Sequence, residues 1–441
     1  MDFKKLREDF PVLNKNIIYF DSAASSLKPT QVLHKIRLYY EELPVNVHRG
    51  IHKLSMKASV IYEEAHEKVA DFIGSNKKEV IFTANSTDSI NQVMYMLYNS
   101  DYFQEGDEIL TTVQEHHVDI VPWQFISKKL NLKLKFVKLN NDFSLDVNDF
   151  KEKLSNKTKL VAIAHVSNTL GTIMPIKEIT KLAHEVNSLV LIDGSQSIPH
   201  MKFNFKEVDC DFLAFTAHKM LGPTGIGCLI GKEELLNKFS PVRFGGDMIS
   251  NVTFEKSEWN TLPYKFEAGT PNISGVFGLG AAIDYLNKVG LENIEKHDKQ
   301  LLKYCYNKIK DIKNLEIINC KDLDNQAPII LFRMKGILPV ELSGLLDDIS
   351  EIATRAGMHC AQPIVSSFDK NGLVRASFYF YNTFEEIDVF AETLQKISES
   401  LYKWFLKFYL NKRFLISFYT ININIFYVIE NDFKSFLIQN S

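Results

Sequence analysis

The sequence has no uninterrupted hydrophobic stretch of membrane length, no basic cluster and few cysteines, and each shortage argues against a class of function. The apolar run 414–429 is broken by Thr420, Asn422 and Asn424 and is shorter than the ~20 residues a membrane helix needs, so a membrane is not an expected partner. Lysine and arginine number 51 against 54 acids, a net charge of −3; with no long basic run, nucleic acid is not expected either. Five cysteines, Cys210, Cys228, Cys305, Cys320 and Cys360, are widely spaced and form no CxxC pair. That argues against a disulfide framework or a structural zinc site and fits a reducing, cytoplasmic compartment. The opening MDFKKLREDF has no apolar signal core, which reads against secretion and organelle import. No repeat of fixed period stands out.

What is present is a 441-residue chain with 45% apolar and 24% charged residues, the balance of a soluble globular protein large enough for two or three domains. The stretch 211–227, DFLAFTAHKMLGPTGIG, organises the rest. Phe212 to Thr216 reads as a buried strand; His218 and Lys219 follow it, and Gly222, Pro223, Gly225 and Gly227 close the turn. A lysine held there is partly desolvated, which lowers its pKa and makes its amine a nucleophile. The natural partner of such an amine is an aldehyde, as in the Schiff base of pyridoxal 5′-phosphate. A solvated lysine beside a flexible turn is the bland alternative.

Other strands end on chemistry too. Lys78 to Phe82 reads as a strand running into Asn85-Ser86-Thr87-Asp88 and a helical pattern at Ile90, Val93, Met94 and Leu97; free amides and hydroxyls at a helix start suit a phosphate. Glu108 to Thr112 precedes His116, Lys159 to His165 precedes Asn168, and Leu189 to Ile192 precedes Asp193 and Gln196. Strands alternating with helices imply an α/β fold with a mostly parallel sheet, whose ligands bind beyond the carboxyl ends of the strands. In such a site Asp193 can keep a pyridine nitrogen protonated, Gln196 and Asn168 can reach the ring oxygen, and His116 can stack on the ring. Helix capping explains Ser86, Thr87 and Asp193 equally well one at a time; five such motifs at equivalent positions are harder to assign to capping. His48, Arg49 and His52 form a loop of cationic donors suited to an anion, with a solvated loop as the equal alternative. Tyr285 to Ile312 is helical, and strands at Leu315 to Ile318 and Ile329 to Arg333 with later helices form a smaller α+β domain. In it, Cys360 follows His359 near Arg355, and cationic neighbours favour a thiolate.

Together AHKMLGPTGIG, LIDGSQS, HVSNTLG, EHHVDIVPW, FEAGTPN and RAGMHCAQP resemble the cysteine desulfurases of the class V aminotransferase family, fold-type I pyridoxal phosphate enzymes. The RxGxxCxxP form resembles the group II, SUF-type branch. The resemblance implies a large domain with a seven-stranded sheet over 21–283, a small domain over 284–403, and an N-terminal segment, 1–20, packed on the latter. It implies that Lys219 carries the cofactor as a Schiff base and that Cys360 accepts sulfur from L-cysteine as a persulfide, serving iron–sulfur cluster assembly. Thr87, Thr216 and His218, with Ser86, would hold the phosphate, and Thr270 would reach it from the partner subunit of a homodimer, with His48 and Arg49 near that boundary. Asn168 and Arg375, assisted by Arg355, would take the substrate carboxylate. A SUF-type sulfur acceptor would be the protein partner. Two departures are Met358, where group II members carry His, and Asn85-Ser86-Thr87-Asp88 in place of Gly-Thr-Thr-Glu. The tail 404–441 matches nothing in the family. A selenocysteine lyase shares the site, and a weakly active scaffold in a cluster-assembly complex is the reading of another class.

Overall fold

The computed structural model describes residues 1–319 and 321–412, with side chains described to residue 401. Cys320 and most of the tail therefore lie outside the described residues.

Seven strands form one sheet: β1 Val80–Thr83, β2 Glu108–Thr112, β3 Lys133–Val137, β4 Thr158–Ala164, β5 Leu189–Asp193, β6 Phe212–Thr216 and β7 Gly227–Gly231, in the spatial order β1-β7-β6-β5-β4-β2-β3. All pairs are parallel except those made by β7, which runs against both β1 and β6. Both faces are covered, so the strands need no polar face. Within β5, Val190 and Ile192 enter one apolar core while Leu191 enters another on the opposite side, as the two-residue repeat of a strand dictates. Fully burying one such side chain contributes about 1.5–3 kcal/mol.

The strand expected over Lys78 to Phe82 begins two residues later. Lys77–Glu79 forms a 3-10 turn instead, because Glu79 accepts the Asn76 amide and closes a capping box. The helix expected from Tyr285 begins at Ile273 and runs to Val289, followed by a second over Leu291–Ile309. Its first turns carry Gly275, Gly278 and Gly280, which hide it from a propensity reading. Packing explains Gly278: a Cβ there would lie 2.9 Å from Ile36 Cγ1 and from Pro223.

The smaller antiparallel sheet holds Leu315–Ile317, Ile329–Met334, Leu373–Ser377 and Arg355–Gly357, in that spatial order. Its apolar face, with Ile330, Phe332, Val374 and Ala376, shares a core with Leu301, Leu302 and Leu394. The N-terminal segment joins this part of the chain: Ile18 and Tyr19 pair in parallel with Ile352 and Ala353, and Phe20 is buried among the same residues. That pairing sets Asp21 beside the strand that carries Arg375, in a bridge to Ser377.

Candidate active site

The carboxyl ends of β1, β4, β5 and β6 open into a cleft of about 460 Å³. Ser86, Thr87, His116, Asn168, Thr216, His218, Lys219, Arg355, Cys360 and Arg375 all line it, and Asp193 and Gln196 line its floor together with Lys219 and His116.

The anion end is built by the helix Ser86–Asn99. Asn85 caps it by accepting the Asp88 amide (2.9 Å), and Asp88 accepts the Ala84 amide (2.8 Å). The buried stripe of Ile90, Val93, Met94 and Leu97 fixes the helix axis. Gly227 lets its N-terminus lie close against β7: a Cβ there would meet Asn85 Cα at 2.6 Å and the Phe215 carbonyl at 2.9 Å. The Thr216 hydroxyl is buried beside this terminus and has no partner. His218 is neutral, its pKa lowered to about 4 by burial and by the nearby Lys219 and Lys28 ammonium groups.

Lys219 closes the 3-10 turn Ala217–Lys219 that follows β6. Desolvation of its ammonium lowers its pKa; Arg375 acts in the same sense, and Asp193, Asp119 and Cys360 oppose. Asp193 is buried at the end of β5 and accepts the Ser195 amide (2.8 Å). His116 accepts the Val118 amide at Nδ1 (3.1 Å). Its pKa is lowered to about 4, first by burial and then by Lys219, so the ring is neutral and its proton sits on Nε2.

The opposite wall comes from the smaller sheet. Arg375, buried on the strand Leu373–Ser377, donates to the Asn168 carbonyl (2.8 Å) and to Asp21 (3.2 Å), while its Nε has no partner. Asp21 also takes a two-pronged grip from Arg355, at 2.8–3.1 Å. Asn168 donates from Nδ2 to the His359 carbonyl (2.7 Å), leaving its Oδ1 buried and unpartnered. Cys360 is exposed. Both His359 and Cys360 have left-handed backbone, φ +50° and +55°, a conformation that is rare and strained for residues other than glycine. Two further contacts hold this turn against the larger sheet: the His117 amide donates to the Cys360 carbonyl (2.6 Å), and the Gln362 amide donates to His117 Nε2 (3.0 Å).

One expectation needs correction, and several residues make contacts the sequence did not show. His359 is no cationic neighbour for Cys360: burial lowers its pKa to about 3, with Arg375 acting in the same sense, and its Nε2 donates to the Leu373 carbonyl. The charged groups that act on Cys360 are Arg355 and Arg375, with Lys219. Thr270, His48 and Arg49, expected at a boundary with a second subunit, lie outside the cleft of their own chain. Thr270 is exposed and accepts from Asn46 (3.3 Å), Arg49 pairs with Asp247 (3.1 Å), and His48 packs edge-on against Tyr62 and Tyr264. Gln196 already spends one amide hydrogen on the Ala23 carbonyl (2.8 Å), so one remains for a ligand. His52 does not wait for an anion: its Nδ1 caps the helix Lys53–Ile73. Asp21, Glu115 and Asp119 had no role assigned from sequence, although Glu115 and Asp119 stand within EHHVDIVPW; a carboxyl set in an apolar turn was the available signal.

Residues 18–390 match the model of the class-V aminotransferases. The chain belongs to that family. It is 44% identical to a probable cysteine desulfurase of Halalkalibacterium halodurans, over 90% of this chain and 98% of that one. To the cysteine desulfurase of Haloferax volcanii the identity is 40%, over 90% and 97%. The apo structure of the cysteine desulfurase from Thermococcus onnurineus superposes with a TM-score of 0.87 at 39% identity, covering 90% of this chain and 98% of that one.

Proposed function

We propose that this class-V aminotransferase family member is a pyridoxal phosphate-dependent cysteine desulfurase that moves the sulfur of L-cysteine onto Cys360 and releases alanine. One observation carries the reading: a desolvated lysine lies between a buried aspartate and an exposed cysteine, in a cleft that also holds a partly unpartnered arginine. The residues fit the cofactor. Thr216 Oγ1, Asn168 Oδ1 and Arg375 Nε are buried in the cleft wall without partners, and such groups are costly unless a ligand completes them.

Thr87, Thr216, His218 and the first amides of the helix Ser86–Asn99 would hold the phosphate. Asp193 would hold the ring nitrogen, Gln196 the ring oxygen, His116 one ring face, and Lys219 the carbonyl carbon. Bound there, pyridoxal phosphate supplies an electron sink for bond cleavage beside the amino-acid α-carbon. The chain does the rest. Arg375 and Asn168 orient the substrate carboxylate. Lys219, its pKa lowered by burial, can accept and return a proton at Nζ. The Cys360 thiolate attacks the substrate sulfur; the S–S bond forms as the C–S bond breaks, and the electron pair stays with carbon, which takes a proton and leaves as alanine. No external oxidant is required. The persulfide then passes to a sulfur acceptor of the SUF type, consistent with the exposure of Cys360, and the free thiols suit a reducing cytoplasm.

A homodimer belongs to the same proposal. Close to His48 and Arg49 in the chain, Ile51, Leu54, Met56 and Val60 are apolar and 47–94% exposed, and exposed apolar side chains gathered in one segment favour an interaction face. The deciding experiment follows alanine release and maps persulfide after a cysteine pulse. One sulfur on the Cys360 peptide with matching alanine supports the reading; alanine without sulfur on that peptide refutes it.

A further inference from the structure

Behind Asp193 lies a second carboxyl that the mechanism above does not use. Asp119 closes the turn His117–Asp119 after β2 and is fully buried. Neither of its carboxyl oxygens has a hydrogen-bond partner, and the Asp193 side chain faces it closely enough to act on its charge. Glu115, in the same loop, is buried as well, but it is satisfied: it takes the Thr112 hydroxyl (2.5 Å) and the Ala164 amide (2.8 Å). The groups facing Asp119 are Asp193 from β5, Glu115 from its own loop and Lys219 from the turn after β6. One ammonium cannot neutralise three enclosed carboxylates, and two ionised carboxylates in contact repel. Their contact is attractive only when one carries a proton. Asp193 has an amide donor and faces Lys219 across the cleft floor; Asp119 has no donor at all.

We propose that Asp119 is a positioning residue: its protonated carboxyl donates a hydrogen bond to Asp193, fixing that carboxylate toward the ring nitrogen of the cofactor. Burial, with Asp193 and then Glu115 adding to it, pushes the Asp119 pKa well above the ordinary range, in line with that state. Burial likewise pushes Glu115 up to about 8, with Asp193 adding to it, against the two hydrogen bonds it accepts. The proton belongs to the Asp119–Asp193 pair as a unit. Held this way, Asp193 keeps one orientation toward the ring nitrogen. The inference rests on the reading that Asp193 holds that nitrogen.

The test compares wild type with Asp119→Asn and Asp119→Ala in the full chain. Asparagine can donate the same bond but has no proton to lose; alanine can do neither. In cofactor-free protein, a group protonated when folded and ionised when unfolded destabilises the fold progressively as pH rises above its unfolded pKa. The ratio of wild-type to Asp119→Asn unfolding constants should therefore grow about tenfold per pH unit, roughly a hundredfold from pH 5 to pH 7. A ratio independent of pH means that Asp119 is ionised in the fold and overturns the proposal, whatever the cofactor does. In the loaded protein, Asp119→Asn should keep the cofactor dissociation constant within threefold and leave the ¹⁵N resonance of labelled ring nitrogen in place, while Asp119→Ala weakens binding at least tenfold and moves the resonance. Equal behaviour of the two variants would overturn the proposal. Failure of wild type to bind pyridoxal phosphate would refute the functional reading, and the stability ratio would still decide whether Asp119 carries the proton.

Discussion

Replacing Arg375 with lysine tests the cleft where its geometry is most specific. The guanidinium makes two contacts inside the protein, to the Asn168 carbonyl and to Asp21, and keeps Nε free. An ammonium keeps the charge but lacks the planar fork, so it cannot hold both partners and grip a carboxylate at two points. Hydrogen bonds to charged groups contribute about 1.5–3 kcal/mol each. Losing two of them costs roughly 3–6 kcal/mol, which at 1.36 kcal/mol per tenfold is a loss of about 10²–10⁴ in kcat/KM. The carboxylate takes no part in bond cleavage, so its grip acts on ground and transition states alike, and most of the loss should appear in KM. The fold should survive, because Asp21 keeps its two-pronged partner Arg355. The assay is the initial rate of alanine release against cysteine concentration, at matched cofactor loading judged by visible absorbance. A KM within threefold of wild type at full loading would show that the carboxylate is held elsewhere, and the assignment of Arg375 would fall.

Lys219→Ala should abolish turnover and the visible absorbance of covalently held cofactor without unfolding the chain; alanine release above about one hundredth of the wild-type rate would contradict its role. Cys360→Ser should bind cofactor normally yet nearly stop desulfuration, since a hydroxyl is far less acidic than a thiol; full turnover, or persulfide found only on the buried Cys210, Cys228 or Cys305, would sink the sulfur route. His165 is buried, and burial lowers its pKa to about 4 against about 6.5 in the unfolded chain. A lowered histidine pKa leaves stability intact above the unfolded value and removes it as pH falls below. His165→Gln should thus gain about 1.4 kcal/mol on wild type between pH 7.5 and pH 5.5, read from paired urea titrations; a gap that stays constant with pH would mean that the imidazole charges freely in the fold.

What the sequence made legible were groups placed by local rules. Asp193, Asn168, His116 and Lys219 each follow a buried strand, and a parallel sheet brings such positions to one edge whatever the loops between them do. Local rules do not reach residues whose partners lie far along the chain. Asp21 acquires its meaning only when Ile18 and Tyr19 pair with Ile352 and Ala353, 334 positions away, because that pairing delivers its carboxylate to Arg355 and Arg375. His117 reads as a surface histidine until the Cys360 turn is seated on it. Proximity in sequence also misled: His359 adjoins Cys360, yet its ring turns inward to the Leu373 carbonyl and stays neutral. Thr270, His48 and Arg49 form a further kind of case. Within one chain they satisfy one another's neighbours at the surface, through Asn46, Asp247 and Tyr62, and a catalytic role for them needs a second copy to bring them to a cleft they do not line. The same logic separates the two halves of the chemistry. The groups that would hold the cofactor stand mainly at strand ends of the larger sheet, whereas the sulfur-accepting turn is strained, exposed and held by Asn168 and His117 from across the cleft. A thiol mounted this way can be reached by an acceptor from outside while the ligand-binding floor stays enclosed, which is the division of labour that passing a persulfide onward requires.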